Sequence, residues 1–130
     1  MKLNDLDRQL IDLATDIAKA GSDRYSNVAM SVGCVIKAKS GKIYKGVNIK
    51  TSHSICAEQI AIGQAYACGE REFDTIVAVH KDFPNKVIAP CGNCRQMLIE
   101  YAPDIKVILN DYENNLIKVS IKDLIPFACL

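Results

Sequence analysis

Several features that mark other protein classes are missing from this chain. Its 130 residues carry 16 basic and 15 acidic side chains, which leave a net charge of only +1. Nucleic-acid-binding proteins usually have a marked basic excess, so this balance argues against a polynucleotide partner. No apolar run approaches the length of a membrane span, and the first seven residues contain no signal-peptide core. We therefore expect a cytoplasmic protein with no membrane partner.

The sequence also has no linker, internal repeat or low-complexity segment. Its length is that of one domain, and its apolar content of 49% and charged content of 24% are ordinary for a globular protein. We expect residues 1–130 to form a single domain. In a reducing compartment, the six cysteines are expected to bind metal or to be buried rather than to form disulfides. Apolar neighbours predict that Cys34, Cys68 and Cys129 are small core residues.

Hydrophobic periodicity predicts an alternation of helices and strands. Leu3, Leu6, Leu10, Leu13 and Ile17 form an apolar stripe on a first helix that ends near Gly21. The remaining predicted elements are strands at 31–36, 43–47, 75–79, 105–109 and 116–119, helices at 56–68 and 92–101, and a short final helix capped by Ser120 and Asp123. Their order, α-β-β-α-β-α-β-β-α, indicates an α/β domain in which helices cover a mixed sheet.

Three cysteines and one glutamate indicate the chemistry. Cys91 and Cys94 have the spacing of a pair of zinc ligands, and Cys56 supplies a third sulfur. No second CxxC pair follows to complete a four-cysteine structural site. Three protein ligands leave a coordination position for water, which is the arrangement of catalytic zinc sites. Glu58, two residues after Cys56, is placed to carry a proton to and from that water.

Both cysteine motifs fall at predicted helix starts, where the positive end of the helix dipole stabilises thiolates. Arg95, next to Cys94, is expected to reduce the negative charge further by donating a hydrogen bond to a sulfur. Three alternatives remain open: a redox pair, plain buried cysteines, or a structural zinc site. The structural site needs a fourth ligand, for which His53, His80 and Cys34 are the candidates.

Two runs, Cys56-Ala57-Glu58 and Pro90-Cys91-Gly92-Asn93-Cys94-Arg95-Gln96, resemble the signature of the cytidine deaminase family. The resemblance implies a three-layer α/β/α domain with a five-stranded mixed sheet. It also implies that Cys56, Cys91 and Cys94 bind Zn²⁺ and that Glu58 is the general acid/base. The expected substrate is a cytosine nucleoside, which loses ammonia and becomes the uracil product.

The family resemblance also assigns roles around the metal. Asn48 and the backbone of Ala57 are expected to seat the nucleoside, and Arg95 and Gln59 lie behind the ligands. Relatives of this kind imply a homotetramer, or a homodimer. The shared pattern runs from about Tyr25 to Pro126.

The chain departs from the nucleoside-deaminase pattern in several places. Lys50 stands where a ribose-binding glutamate is usual, and Gln59 stands where many members have arginine. No aromatic residue follows Tyr25-Ser26, and the C-terminal aromatic is displaced to Phe127. The changes at positions 50 and 59 resemble the blasticidin-S deaminase branch. Lys50 suggests a substrate with an anionic group, although a solvated loop lysine is the simpler explanation and the one we favour. A zinc-stabilised module that binds a nucleoside without turnover is the alternative to an enzyme.

Overall fold

The computed structural model describes residues 2–21, 31–83 and 87–130. Within these ranges the elements follow the predicted order. Their bounds are α1 Asp5–Gly21, β1 Val32–Ala38, β2 Ile43–Val47, α2 Ala57–Ala67, β3 Phe73–His80, α3 Gly92–Tyr101, β4 Lys106–Asn110, β5 Leu116–Ser120 and α4 Ile121–Leu124. None of the helices in the described ranges has the length and apolar content needed to cross a bilayer.

The five strands form one mixed sheet in the order β2-β1-β3-β4-β5. β3 and β4 pair in parallel, whereas the other neighbours are antiparallel. Five of the eight positions of β3 form an unbroken buried run, as expected for a central strand covered on both faces. β3 therefore forms the middle of the core.

Two glycines show that helices cover opposite faces of the sheet. A Cβ atom at Gly33 of β1 would meet the backbone of Ala14 and Ala18 in α1, and one at Gly46 of β2 would meet Ala57 in α2. Gly46 pairs with Cys34, the residue after Gly33, and side chains alternate between faces along a strand. α1 and α2 thus lie on different faces, and the predicted three-layer α/β/α domain is confirmed.

The buried face of α1 differs from the predicted stripe. Leu10, Ala14 and Ala18 are at most 1% exposed, whereas Leu6 is 38% exposed. Because Gly33 has no side chain, α1 packs closely through its small alanines, and Leu3, Leu13 and Ile17 of the predicted stripe are only partly buried. Asp7 is also buried on this helix and forms a 2.9 Å ion pair with Lys118 of β5.

The burial prediction for the three non-motif cysteines is correct for only one of them. Cys34 is fully buried in β1, whereas Cys68 and Cys129 are exposed. Cys68 is the C-cap of α2, where the chain leaves the helix, and Cys129 lies in the segment after α4. Their apolar sequence neighbours therefore do not place them in the core.

Candidate functional site

Three cysteine sulfurs converge where two helices begin. Cys56 is the N-cap of α2, Cys91 is the N-cap of α3, and Cys94 lies in the first turn of α3. Their Sγ atoms all lie within 4.8 Å of one another, and the sulfurs of Cys56 and Cys91 are 3.9 Å apart. Two sulfurs bound at 2.3 Å to one tetrahedral zinc ion would be about 3.8 Å apart. The three sulfurs therefore fit a single zinc ion.

The proposed fourth ligands are not part of this group. In the described ranges, the only cluster of three or more residues with metal-ligand chemistry is the cysteine trio. His53 is exposed in the loop before α2, and Nδ1 of His80 accepts a hydrogen bond from the backbone N–H of Asp82. Cys34 is buried within the sheet.

The thiols differ in how readily they ionise. Burial raises the pKa of Cys94 well above its ordinary value, and the charge of Glu58 raises it further. Burial also raises the pKa of Cys56. For Cys91, burial raises the pKa, but the backbone N–H groups of Cys94 and Asn93 and the two neighbouring thiols together lower it below its ordinary value. Three thiolates at this point therefore need a bound cation, and the softness of sulfur favours zinc.

Glu58 lies in the first turn of α2 and is only 6% exposed. Burial raises the pKa of its carboxyl group above the ordinary value. A carboxyl group with a raised pKa is suited to accepting and returning a proton near neutral pH. This is the property required of the general acid/base that the sequence predicts at this position.

A cavity of about 200 Å³ opens beside the cysteines. Its lining includes five of the nine predicted site residues: Cys56, Cys91, Glu58, Ala57 and Asn48. The other four, Cys94, Lys50, Gln59 and Arg95, lie outside the lining. The cavity joins a potential metal, a proton carrier and hydrogen-bonding groups in one space.

The side chain of Asn48 is oriented by the strand beside it. Its Oδ1 atom accepts a 2.9 Å hydrogen bond from the backbone N–H of Val32. Because a backbone N–H can only donate, the amide oxygen faces β1, and Nδ2 remains a donor with no hydrogen bond among the described residues. Asn48 can therefore offer an N–H group to a ligand in the cavity.

Gln59 and Arg95 support the two cysteine motifs through backbone atoms. Oε1 of Gln59 accepts a 2.8 Å hydrogen bond from the backbone N–H of Cys56, which fixes the start of α2. The guanidinium of Arg95 donates to the carbonyl oxygens of Pro90 at 2.7 Å and Leu124 at 3.1 Å. The predicted hydrogen bond from Arg95 to a sulfur is therefore wrong. Arg95 instead braces the residue before Cys91 against the end of α4.

Known proteins show the same pattern over most of the chain. The family model described as the cytidine and deoxycytidylate deaminase zinc-binding region matches residues 4–110. The chain belongs to this deaminase family. A blasticidin-S deaminase from Bacillus cereus is 36% identical over 129 residues, with 92% of this chain and 89% of the relative covered. A cytidine deaminase from Halalkalibacterium halodurans is 30% identical over 128 residues, covering 95% and 94%.

The fold comparison agrees with the sequence comparison. The crystal structure of cytidine deaminase from Burkholderia pseudomallei matches with a TM-score of 0.75 and 31% identity, covering 94% of this chain and 98% of that one. A cytidine deaminase from Mycobacterium tuberculosis matches with a TM-score of 0.76 at 23% identity, which bears on the fold alone. The deaminase fold predicted from the sequence is confirmed.

Two positions where this chain departs from the pattern of the deaminase family are exposed. Lys50 is exposed and is not among the residues that line the cavity. Phe127 is fully exposed, and its φ of 55° is left-handed. Tyr25, Val28 and the residues between them lie outside the described part of the chain, as does Pro84.

Sequence reasoning missed part of the cavity wall of this deaminase-family chain. Val32, Ser54, Ile55, Ile88 and Ala89 also line the cavity. Ile88 is fixed by a 2.8 Å hydrogen bond from its backbone N–H to the carbonyl oxygen of Ala78 in β3. These residues belong to separate segments and carry no motif, so no sequence pattern identifies them. Only the sheet and its loops bring them together.

Proposed function

We propose that this protein is a zinc-dependent hydrolytic deaminase that converts a cytosine nucleoside and water into the uracil product and ammonia. This proposal depends on one observation: Cys56 and Cys91 of the cysteine trio line the same cavity as the buried Glu58. Family membership supports the reaction class. The all-sulfur donor set and its spacing support zinc as the ion that Cys56, Cys91 and Cys94 would hold.

When bound, zinc supplies a Lewis acid that lowers the pKa of water from 15.7 to about 7. Cys56, Cys91 and Cys94 would hold it between two helix N-termini, each of which carries roughly half a positive charge that would offset the excess of thiolate charge. Glu58 accepts one proton of the attacking water and delivers it to the ring nitrogen as the oxygen bonds to the carbon that carries the amine. It then carries the remaining hydroxyl proton to the exocyclic amine, so that the C–N bond breaks, the C=O bond forms and ammonia departs. The buried position of Glu58 keeps bulk water from competing for that proton.

The cavity favours a nucleoside over a nucleotide. Among the described residues that line it, Glu58 is the only side chain of the charged types, and no lysine or arginine is present to pair with a phosphate. We assign Nδ2 of Asn48 the role of donor to a sugar hydroxyl and the backbone of Ala57 that of seating the base, because both residues line the cavity. The absence of a cationic side chain from this lining supports a neutral substrate such as cytidine or deoxycytidine.

A blasticidin-S-type deaminase is the second candidate, favoured by the 36% identity to the Bacillus cereus relative and by Lys50 and Gln59. If Lys50 binds an anionic group, Lys50→Glu will change the ratio of kcat/KM for cytidine to that for a cytosine nucleoside bearing a carboxylate. An unchanged ratio means that Lys50 is a solvated loop lysine. Its exposure outside the cavity lining supports the solvated role.

The direct test measures ammonia release and loss of cytosine absorbance with cytidine, deoxycytidine, cytosine and blasticidin S. Glu58→Gln is expected to keep one zinc per chain and to lose activity by about 10²- to 10⁴-fold. Glu113→Gln makes the same chemical change in an exposed turn and is expected to match the parent. Near-parent turnover by Glu58→Gln would show that another group moves the proton.

The same screen separates the enzyme from a nucleoside-binding module. A module would gain thermal stability from cytidine but release no ammonia. A polynucleotide editor would show an RNA affinity that falls steeply with salt.

We further propose that the protein is a homotetramer, or a homodimer, in the cytoplasm. Light scattering tests the assembly, and a monomer at micromolar concentration would contradict it.

A further inference from the structure

The loop between Asn48 and Cys56 is closed by its own backbone. The N–H and carbonyl groups of Ile49 and Ile55 form two reciprocal hydrogen bonds of 2.9 and 2.8 Å. Residues 50–54 lie between this pair, and all five are exposed. Packing against the rest of the fold therefore contributes little to the shape of the loop, which must be set by contacts within it.

Thr51 makes most of those contacts. Its Oγ1 atom accepts hydrogen bonds of 3.1 Å from the backbone N–H groups of both His53 and Ser54. Its carbonyl oxygen accepts a 3.2 Å hydrogen bond from Oγ of Ser54. Ser54 has a φ of 37°, in the left-handed region that a residue other than glycine adopts only at a cost. Two of the three hydrogen bonds made by Thr51 hold Ser54 in that conformation.

The held residue belongs to the candidate substrate site. Ser54 and the next residue, Ile55, line the cavity together with Asn48 and Cys56. Ile55 is 41% exposed although it is a large apolar side chain. If the reacting carbon lies at Glu58 and the cysteines, the remainder of the nucleoside must extend along the other walls, which include Asn48, Ser54 and Ile55.

We propose that Thr51 is a positioning residue for substrate binding, which holds Ser54 and Ile55 in the shape that receives the part of the nucleoside farthest from Glu58. This role rests on the proposed deaminase function. Thr51 touches neither the cavity nor the cysteines, and α2 fixes Cys56 and Glu58 independently through Gln59. Loss of its hydroxyl is therefore expected to weaken binding while the chemical step stays intact.

Matched variants isolate the hydroxyl. Thr51→Val removes Oγ1 and keeps the shape of the side chain, Thr51→Ser restores it, and Ser52→Ala removes a neighbouring hydroxyl that has no hydrogen bond among the described residues. Loss of one or two hydrogen bonds predicts that Thr51→Val raises KM for cytidine about three- to tenfold with kcat within about twofold. Thr51→Ser and Ser52→Ala are expected to stay within about twofold of the parent in both parameters.

Calorimetric binding of cytidine in a Glu58→Gln background gives a readout that does not need turnover. The Thr51→Val form is expected to bind about three- to tenfold more weakly at an unchanged zinc content. Equal affinities for the valine and serine variants, or a fall in kcat with KM unchanged, would overturn the role of Thr51. If the parent releases ammonia from none of the four screened compounds, the proposed function is wrong, while the binding series still tests the role of the loop. Absence of cytidine binding in every variant overturns the role of Thr51.

Discussion

Gly46 of β2 lies beneath the first turn of α2, and replacing it with alanine tests whether this contact sets the position of Cys56 and Glu58. A Cβ atom at Gly46 would lie 2.3 Å from the carbonyl oxygen of Ala57 and 2.6 Å from the backbone nitrogen of Ala61. Ordinary contact begins at 3.4 Å. The start of α2 must therefore move away from the sheet by about 1 Å, because both neighbours are backbone atoms.

That displacement has two separable costs. Inserting a methyl group into a closely packed core lowers the free energy of unfolding by about 1–3 kcal/mol. Moving a catalytic group by about 1 Å can lower turnover by about 100-fold. Gly46→Ala is therefore expected to show a modest loss of stability, weaker zinc retention and a loss of kcat/KM far larger than the stability change explains.

Gly33→Ala is the matched control. Its Cβ atom would lie 2.3 Å from the carbonyl oxygen of Ala14 and 2.5 Å from the backbone nitrogen of Ala18, both in α1. The steric conflict is equal, but α1 carries none of the candidate site residues. We expect a similar loss of stability with kcat/KM for cytidine within about twofold of the parent.

Urea denaturation measures the stability of the two variants, and zinc content after dialysis measures how well they retain the metal. Steady-state kinetics, run at a temperature below the unfolding transition of either variant, measure kcat/KM. If Gly46→Ala keeps the zinc and turnover of the parent, the glycine does not position the start of α2. If Gly33→Ala loses turnover to the same degree, general destabilisation explains both variants.

Three further changes test the ion pair, the acid/base and the ligands. Asp7→Asn breaks the ion pair between Asp7 and Lys118, whose side chains are 3% and 12% exposed. It is expected to lower the free energy of unfolding, measured by urea denaturation, by about 3–5 kcal/mol. A loss no larger than that caused by Asp12→Asn at an exposed position would contradict this. Burial raises the pKa of Glu58, so the folded metal-free chain binds this proton more tightly than the unfolded chain and loses stability as pH rises through the ordinary carboxyl pKa toward the raised one. Metal-free Glu58→Gln is therefore expected to melt above the parent at about pH 7 and level with it at about pH 4, and an equal difference at both would refute the burial effect. Cys91→Ala is expected to retain no zinc after dialysis and to melt at a lower temperature than the zinc-loaded parent, whereas zinc retention would show that two sulfurs suffice.

The element order follows from the sequence because each segment has a period that suits one type of structure. The apolar run at 75–79 became the centre of β3, and Pro90 before the CxxC motif marks the start of α3. The convergence of Cys56 with Cys91 and Cys94 was predictable only through their combined ligand chemistry, since 35 residues separate the first two. The helix starts then supplied the electrostatic reason for that placement.

What the sequence did not reveal depends on contacts between distant segments. Because α1 packs closely on Gly33, its buried face includes Ala14 and Ala18. A hydropathy pattern cannot predict such a close contact between a helix and a strand. The guanidinium of Arg95 donates to two backbone carbonyl oxygens rather than to a sulfur, because one of them belongs to Leu124 at the end of α4, within hydrogen-bonding distance. The left-handed turn at Ser54 depends on hydrogen bonds to Thr51, which no apolar pattern encodes.

X-ray absorption at the zinc edge tests the metal centre most directly. In the zinc-loaded parent, we predict a first shell of three sulfur atoms at about 2.3 Å and one oxygen atom at about 2.0 Å. That shell corresponds to Cys56, Cys91 and Cys94 with one position available to water. A shell of four sulfurs, or of sulfur with a histidine nitrogen, would mean that a protein side chain closes the site and would contradict the hydrolytic account.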